Sequence, residues 1–191
     1  MKSLNDFYGI NWIHHTPIIF VVDNRETINL LKGEKTEDWL VGWANGSQIY
    51  ILNKDNFEKE SDHKYKLDEY YALIRHELSH CFYNILSSYN YFPYWLSEGV
   101  AAYTSGQNKF KNKPEKFSEF LDFYDRGGKG IYKESGFFVQ DLVEKFGKQK
   151  LLDLVKRLKN IKTKEGFDEL FTKQYGFNLA YDEINLCYHR G

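Results

Sequence analysis

Apolar residues recur at three- and four-residue spacing through Leu67, Tyr70, Tyr71, Ile74, Leu78, Cys81, Phe82 and Ile85. That period predicts an amphipathic helix from about Tyr65 to Ser88, with this stripe turned to a core. Upstream the pattern is different. Pro17 to Val22 reads PIIFVV, a short run rich in branched residues that predicts a buried strand. Asp23 or Asn24 can cap a helix over Arg25 to Leu31, which Gly33 ends. Trp39 to Leu52, WLVGWANGSQIYIL, holds two strand-like runs joined by Asn45 and Gly46, a dipeptide favoured in tight hairpin turns. Asn53 to Lys64 is a polar connection.

Downstream the periodicity is helical. Pro93 opens and Gly106 closes a helix containing Trp95, Leu96, Val100, Ala101 and Tyr103. Further helices are predicted over Pro114 to Tyr124, closed by Gly127 and Gly128, and over Glu134 to Phe146, stopped by Gly147. Gln149 to Leu158 forms another, with shorter ones over Phe167 to Phe171 and Asn178 to Tyr188. Met1 to Thr16 supports no element, although Trp12 and Ile13 read as packing residues. Strands first and helices after give an α+β fold. The expectation is one domain over 1–191: a small mixed sheet packed on the Tyr65 to Ser88 helix (1–90), a mainly helical lobe (91–191), and a cleft between them.

Composition narrows the classes of function. The net charge of −1, from 26 basic and 27 acidic residues, provides no global field for nucleic acid or anionic lipid. Lys109, Lys111, Lys113 and Lys116 read as a solvated loop. Aromatic residues reach 18%, with 15 Tyr and 15 Phe, so tyrosines are expected to line any cleft. Cys81 and Cys187 read as small core residues, too few for a disulfide framework. No apolar run approaches the ~20 residues that span a bilayer, and the first residues are too polar for a signal peptide. A cytoplasmic location is the expectation.

The chemistry concentrates in IRHELSH, Ile74 to His80. On a helix His76 and His80 stand one above the other, so both imidazoles can reach one metal ion. Glu77 projects about 100° round from His76, beside such a metal, where its carboxylate can accept a proton from an activated water. The alternative is a plain amphipathic helix with polar residues on its wet face. A catalytic zinc takes three protein ligands and leaves a fourth position open. Glu98 is the candidate third ligand, because an acid inside the apolar segment YWLSEGVAAY needs a cation or a hydrogen-bond partner. A structural salt bridge would also satisfy it. The adjacent His14 and His15 have no ligand spacing to anything nearby.

At these residues the chain resembles the gluzincin zinc metallopeptidases, specifically the peptidase MA-like group related to the aminopeptidases, leukotriene hydrolase and thermolysin. HELSH, seventeen residues between His80 and Glu98, and WLSEG carry the resemblance, which extends over about Trp39 to Leu158. In the aminopeptidases the linker is usually one residue longer. The resemblance implies one zinc per chain on His76, His80 and Glu98, with Glu77 as general base, and hydrolysis of a peptide or protein substrate. It also implies that the Trp39 to Leu52 hairpin is a cleft rim that pairs with substrate backbone; by its own sequence the hairpin is simply part of the sheet. Tyr132, in IYKESGFF just before the Glu134 helix, resembles the family's YxKG tyrosine that faces the metal, and Tyr103 and Tyr124 compete for that role. The family's aminopeptidases carry a glutamate in a GAMEN rim segment, whereas this chain has GWANG from Gly42 to Gly46, which predicts an endopeptidase. Glu69 or Asp125 would have to fill the missing place in an aminopeptidase. The competing reading is a zinc-binding regulatory or interaction module with no general proteolytic activity.

Overall fold

Ile49, Ile51 and Leu52 have no exposed surface, and the sheet is built around the strand they occupy. In the computed structural model, which describes residues 1–189, helices and a three-stranded sheet are mixed. The order is α1 (Lys2–Tyr8), β1 (Ile18–Val22), α2 (Arg25–Lys32), β2 (Gly42–Asn45), β3 (Gln48–Leu52), α3 (Phe57–Glu60), α4 (Leu67–Leu86) and α5 (Tyr94–Ser105), followed by α6 (Ile131–Phe146), α7 (Lys148–Arg157), α8 (Lys164–Tyr175) and α9 (Tyr181–His189). Among the described residues no helix is long and apolar enough to cross a membrane.

The strands lie in the order β1-β3-β2. β1 runs parallel to β3, with Ile18 opposite Gln48 and Val22 opposite Leu52. β2 runs antiparallel, with Gly42 opposite Ile51 and Asn45 opposite Gln48. The hairpin loop is therefore Gly46–Ser47, one residue later than the expected Asn45–Gly46. Gly46 has φ 60°, and glycine with positive φ at the first central position is what a type II′ turn requires.

β1 departs from expectation in its surroundings. It is a strand, but Ile18 is 58% and Val21 60% exposed, and only Val22 of its five residues is buried. An unbroken apolar run signals cover on both faces, and a strand at the margin of a three-stranded sheet does not receive it. Asn24 is the cap of α2, its side chain accepting the Thr27 N–H, and Gly33 ends the helix at φ 73°. The unassigned N-terminus holds α1, which buries Leu4 and Tyr8, and Tyr8 Oη lies 2.7 Å from Ser79 Oγ on α4. Trp12 meets the Phe82 ring edge-on at 5.1 Å, whereas Ile13 is 62% exposed and does not pack as expected. The polar connection before α4 contains the short α3, anchored by buried Phe57.

α4 is flanked by the sheet and by α5, so its buried face is wider than the apolar stripe and turned from it. Tyr70, Leu78, Cys81 and Phe82 are buried as expected, while Leu67, Tyr71 and Ile85 are exposed and the polar His76, Glu77 and Ser79 lie inside. A Cβ added at Gly99 of α5 would stand 2.7 Å from Ser135 O and 2.8 Å from Val139 Cγ2, so α5 and α6 touch through backbone. Around that contact Trp95, Phe117, Phe120, Phe138 and Phe167 form a closed aromatic cluster, and each such side chain contributes about 1.5–3 kcal/mol on burial.

The helix expected over Pro114 to Tyr124 is absent apart from a single 3₁₀ turn at Phe120–Asp122. The buried carboxylate of Glu134 accepts the backbone N–H groups of Ser118, Glu119 and Phe120, amides a helix would otherwise use. Asn185 and Tyr181 take the N–H groups of Phe117 and Leu121. α6 starts a turn before Glu134, which puts Tyr132 inside its first turn. α8 extends well beyond Phe167 to Phe171 because Thr163 caps it by accepting the Gly166 N–H. Cys81 is buried, Cys187 is partly buried, and both are free.

Candidate metal centre and its cleft

α4 presents His76 and His80 on one face, four residues apart, toward α5, and α5 presents Glu98 back at them. His76 Nε2 lies 3.1 Å from His80 Nε2 and 3.1 Å from Glu98 Oε2, and His80 Nε2 lies 3.5 Å from Glu98 Oε1. Ligand atoms of these three residues all fall within 4.8 Å of one another. The three contacts, in which the two histidines meet different oxygens of Glu98, are close to the ~3.3–3.4 Å ligand-to-ligand edges of a tetrahedral metal ion with ligands at ~2.0–2.1 Å. Two imidazoles and one carboxylate suit zinc, and the same donors can also serve ferrous iron.

The ligand candidates are held from behind to different degrees. Ser97 Oγ sits 3.2 Å from His80 Nδ1, and a proton on that nitrogen leaves the Nε2 lone pair free for a metal. His76 Nδ1 is buried with no hydrogen-bond partner among the described residues. Ser79, one turn along α4, ties the helix to α5 through Thr104 Oγ1 at 2.7 Å. Glu98 keeps only 15% of its side chain exposed. Burial alone would raise its pKa, yet the charges and hydrogen bonds of His80 and His76 outweigh this and hold the carboxyl well below the usual range. Burial also opposes the charge on His80, while Glu98 and Glu77 carry that imidazole up to about 9.

Glu77 is 5% exposed, and burial raises its carboxyl above the ordinary value, with His76 and His80 opposing. Gly42 of β2 packs against it: a Cβ added there would make an ordinary 3.5 Å contact with Glu77 Cγ, and the close approach that a Cβ would spoil is to Ile51 Cδ1, at 2.8 Å. Tyr132 closes the other side, its ring centroid 6.3 Å from that of His76. Burial pushes its phenol well above 10, and the charges of Glu98 and Glu77 push further, so the hydroxyl keeps its proton beside the two acids.

His76, Glu77 and Tyr132 border a pocket of about 510 Å³, together with Trp39, Gly42, Tyr70, Leu73, Phe110 and Lys111, whereas His80 and Glu98 are not among its lining residues. Of the competing tyrosines, Tyr103 lines a separate surface pocket and Tyr124 stacks on Phe92; neither borders this one. Glu69 does border it, 2.7 Å from Lys66, while Asp125 is not among its lining residues. His14 and His15 are exposed and apart from the site.

Sequence reasoning missed three contributors. Ser97 was visible as a lone hydroxyl beside Glu98 in an apolar helix. Trp39 carried no signal beyond its place in a strand-like run. Lys111, read as part of a solvated loop, is mostly enclosed, and its Nζ donates to the Tyr132 carbonyl at 2.9 Å. Burial lowers its pKa against the pull of Glu98. No family model, curated protein or solved structure matches the chain, so the resemblance to gluzincins rests on the two motifs.

Proposed function

We propose that this chain is a zinc-dependent metallopeptidase in which His76, His80 and Glu98 hold the metal at the floor of a cleft between the sheet and the helices carrying Glu98 and Tyr132. The observation that carries the reading is the convergence of three donor residues, with ligand atoms within 4.8 Å of one another, next to a buried acid and a protonated phenol. A zinc ion held by these residues would supply a Lewis acid for a carbonyl and would lower the pKa of water to about 7.

Glu77 takes the proton of the attacking water and delivers it to the leaving amine, a transfer its place beside the ligands allows. Tyr132 Oη donates to the oxyanion that forms as the carbonyl is attacked. Substrate backbone pairs with the outer edge of β2, which has no neighbouring strand among the described residues. Gly42 to Gly46 offers no carboxylate for a free amino terminus, so the substrate is held as an internal segment and the enzyme is an endopeptidase.

The test is metal analysis with peptide-library cleavage on the parent, Glu77→Gln and Glu98→Ala. About one zinc per chain is expected in the parent and in Glu77→Gln, with turnover lost in the latter; Glu98→Ala should lose zinc as well. Equal zinc retention by Glu77→Gln and Glu98→Ala rejects Glu98 as a ligand, and zinc binding by the parent without cleavage leaves a zinc-binding module. Paired peptides with free and acetylated amino termini should be cut within a few-fold of each other. A strict need for the free amine, with release of single residues, rejects the endopeptidase assignment.

A further inference from the structure

The pocket beside His76 and Glu77 is lined by four lysines and two histidines, and among the described residues all but Lys111 have an acidic neighbour, Glu98 in the case of His76. Lys64 lies 3.5 Å from Glu58, Lys66 2.7 Å from Glu69, and Lys129 and His63 lie 3.2 and 3.5 Å from Asp62. Among the described residues Lys111 has no carboxylate within ion-pair distance, and its Nζ makes one hydrogen bond, to the Tyr132 carbonyl in the first turn of α6, and stands 5.8 Å from the centre of the Tyr132 ring. An ammonium has three N–H donors, so two remain for the pocket.

The same pocket also has apolar lining, from Trp39, Leu40, Leu73 and Phe110. In a partly enclosed pocket a charge-assisted hydrogen bond is stronger than in water, and the remaining Lys111 donors are open to an anionic ligand. The anchor also makes the position definite, because the Tyr132 carbonyl holds the flexible stem in place before any ligand arrives.

The geometry points to Lys111 as the residue that reads a carboxylate on the substrate, an inference that rests on the peptidase reading for its direction along the chain. Antiparallel addition is the commoner strand pairing. A peptide added in that sense to β2 passes Gly42 and continues, amino to carboxyl, toward Trp39, the end at which this pocket opens. The carboxylate therefore belongs to the leaving-amine side of the scissile bond. Either an acidic side chain or a free chain terminus supplies the same chemistry.

The test uses labelled hexapeptide pools containing one Glu, or Gln in its place, each made as the terminal amide and as the free acid. Binding is measured by fluorescence anisotropy to Glu77→Gln with zinc added, alone and combined with Lys111→Gln or Lys111→Arg; cleavage is measured with Glu77 intact. Carboxylate-bearing pools should bind about 10-fold more tightly than the Gln amide pool, a gap lost in Lys111→Gln and kept in Lys111→Arg. A gap between the amide pools assigns an acidic side chain, and a gap confined to the free acids assigns the terminus. Equal binding of all pools, or a gap that survives Lys111→Gln in a chain with parental circular dichroism, overturns the assignment. Cleavage without the gap would reject Lys111 and keep the peptidase; the gap without cleavage would do the reverse.

Discussion

The helices beneath Glu77 and the sheet beside it are built in opposite ways. Below, α5 and α6 touch through Gly99 and Ser135, and Trp95, Phe138 and Val139 are sealed from solvent. Ser97 backs His80, and Lys111 is bonded to the carbonyl of Tyr132. Beside them lie three short strands, of which only the central one is covered along most of its length, and neither outer strand has a further strand beside it among the described residues. Chemistry needs side chains held to within about 0.5 Å, which packed helices supply. Reversible pairing with an extended chain needs open backbone donors and acceptors, which only a sheet edge offers. The proposed function would put the chemistry on the packed helices and the substrate pairing on the open edge.

The comparison breaks most readily at Trp95. Its ring packs on Phe120, Phe138 and Phe167, and Trp95→Ala should cost about 3–5 kcal/mol in denaturant unfolding and loosen Glu98 three residues on. Zinc retention measured on the folded fraction should fall with it. A loss under about 1 kcal/mol would mean that the helical floor is not what holds the site.

Tyr132→Phe sharpens the comparison by removing one oxygen from the rigid side. Turnover should drop roughly 100-fold, with zinc content and unfolding midpoint unchanged. Activity within a few-fold of the parent would assign the oxyanion donor to another group. The smallest effect belongs to the exposed strand. Val21→Lys, on the open edge of β1, should change stability by no more than about 0.5 kcal/mol and reduce concentration-dependent association measured by light scattering. A large destabilisation would show that β1 is covered after all.

Local chemistry was legible in the sequence wherever a short window contains the whole cause. Asn24 and Gly33 bound α2 because a cap needs only the residues three positions away. His76 and His80 share a face because four residues make about one turn. The helix expected over Pro114 to Tyr124 failed for the converse reason: its competitor, Glu134, lies more than ten residues downstream, and no window of local propensity contains it.

By itself the sequence determined the helical and strand periods, the spacing of HELSH and the apolar setting of Glu98, since each depends on neighbours along the chain. Tertiary structure decided which strand is covered, which face of α4 is buried, and that Glu98 Oε2 comes 3.1 Å from His76 Nε2. It also decided that Lys111 leaves its run of lysines to stand in the pocket. Those outcomes depend on which distant segment arrives opposite each residue, and packing between elements supplies that choice where one-dimensional periodicity has none.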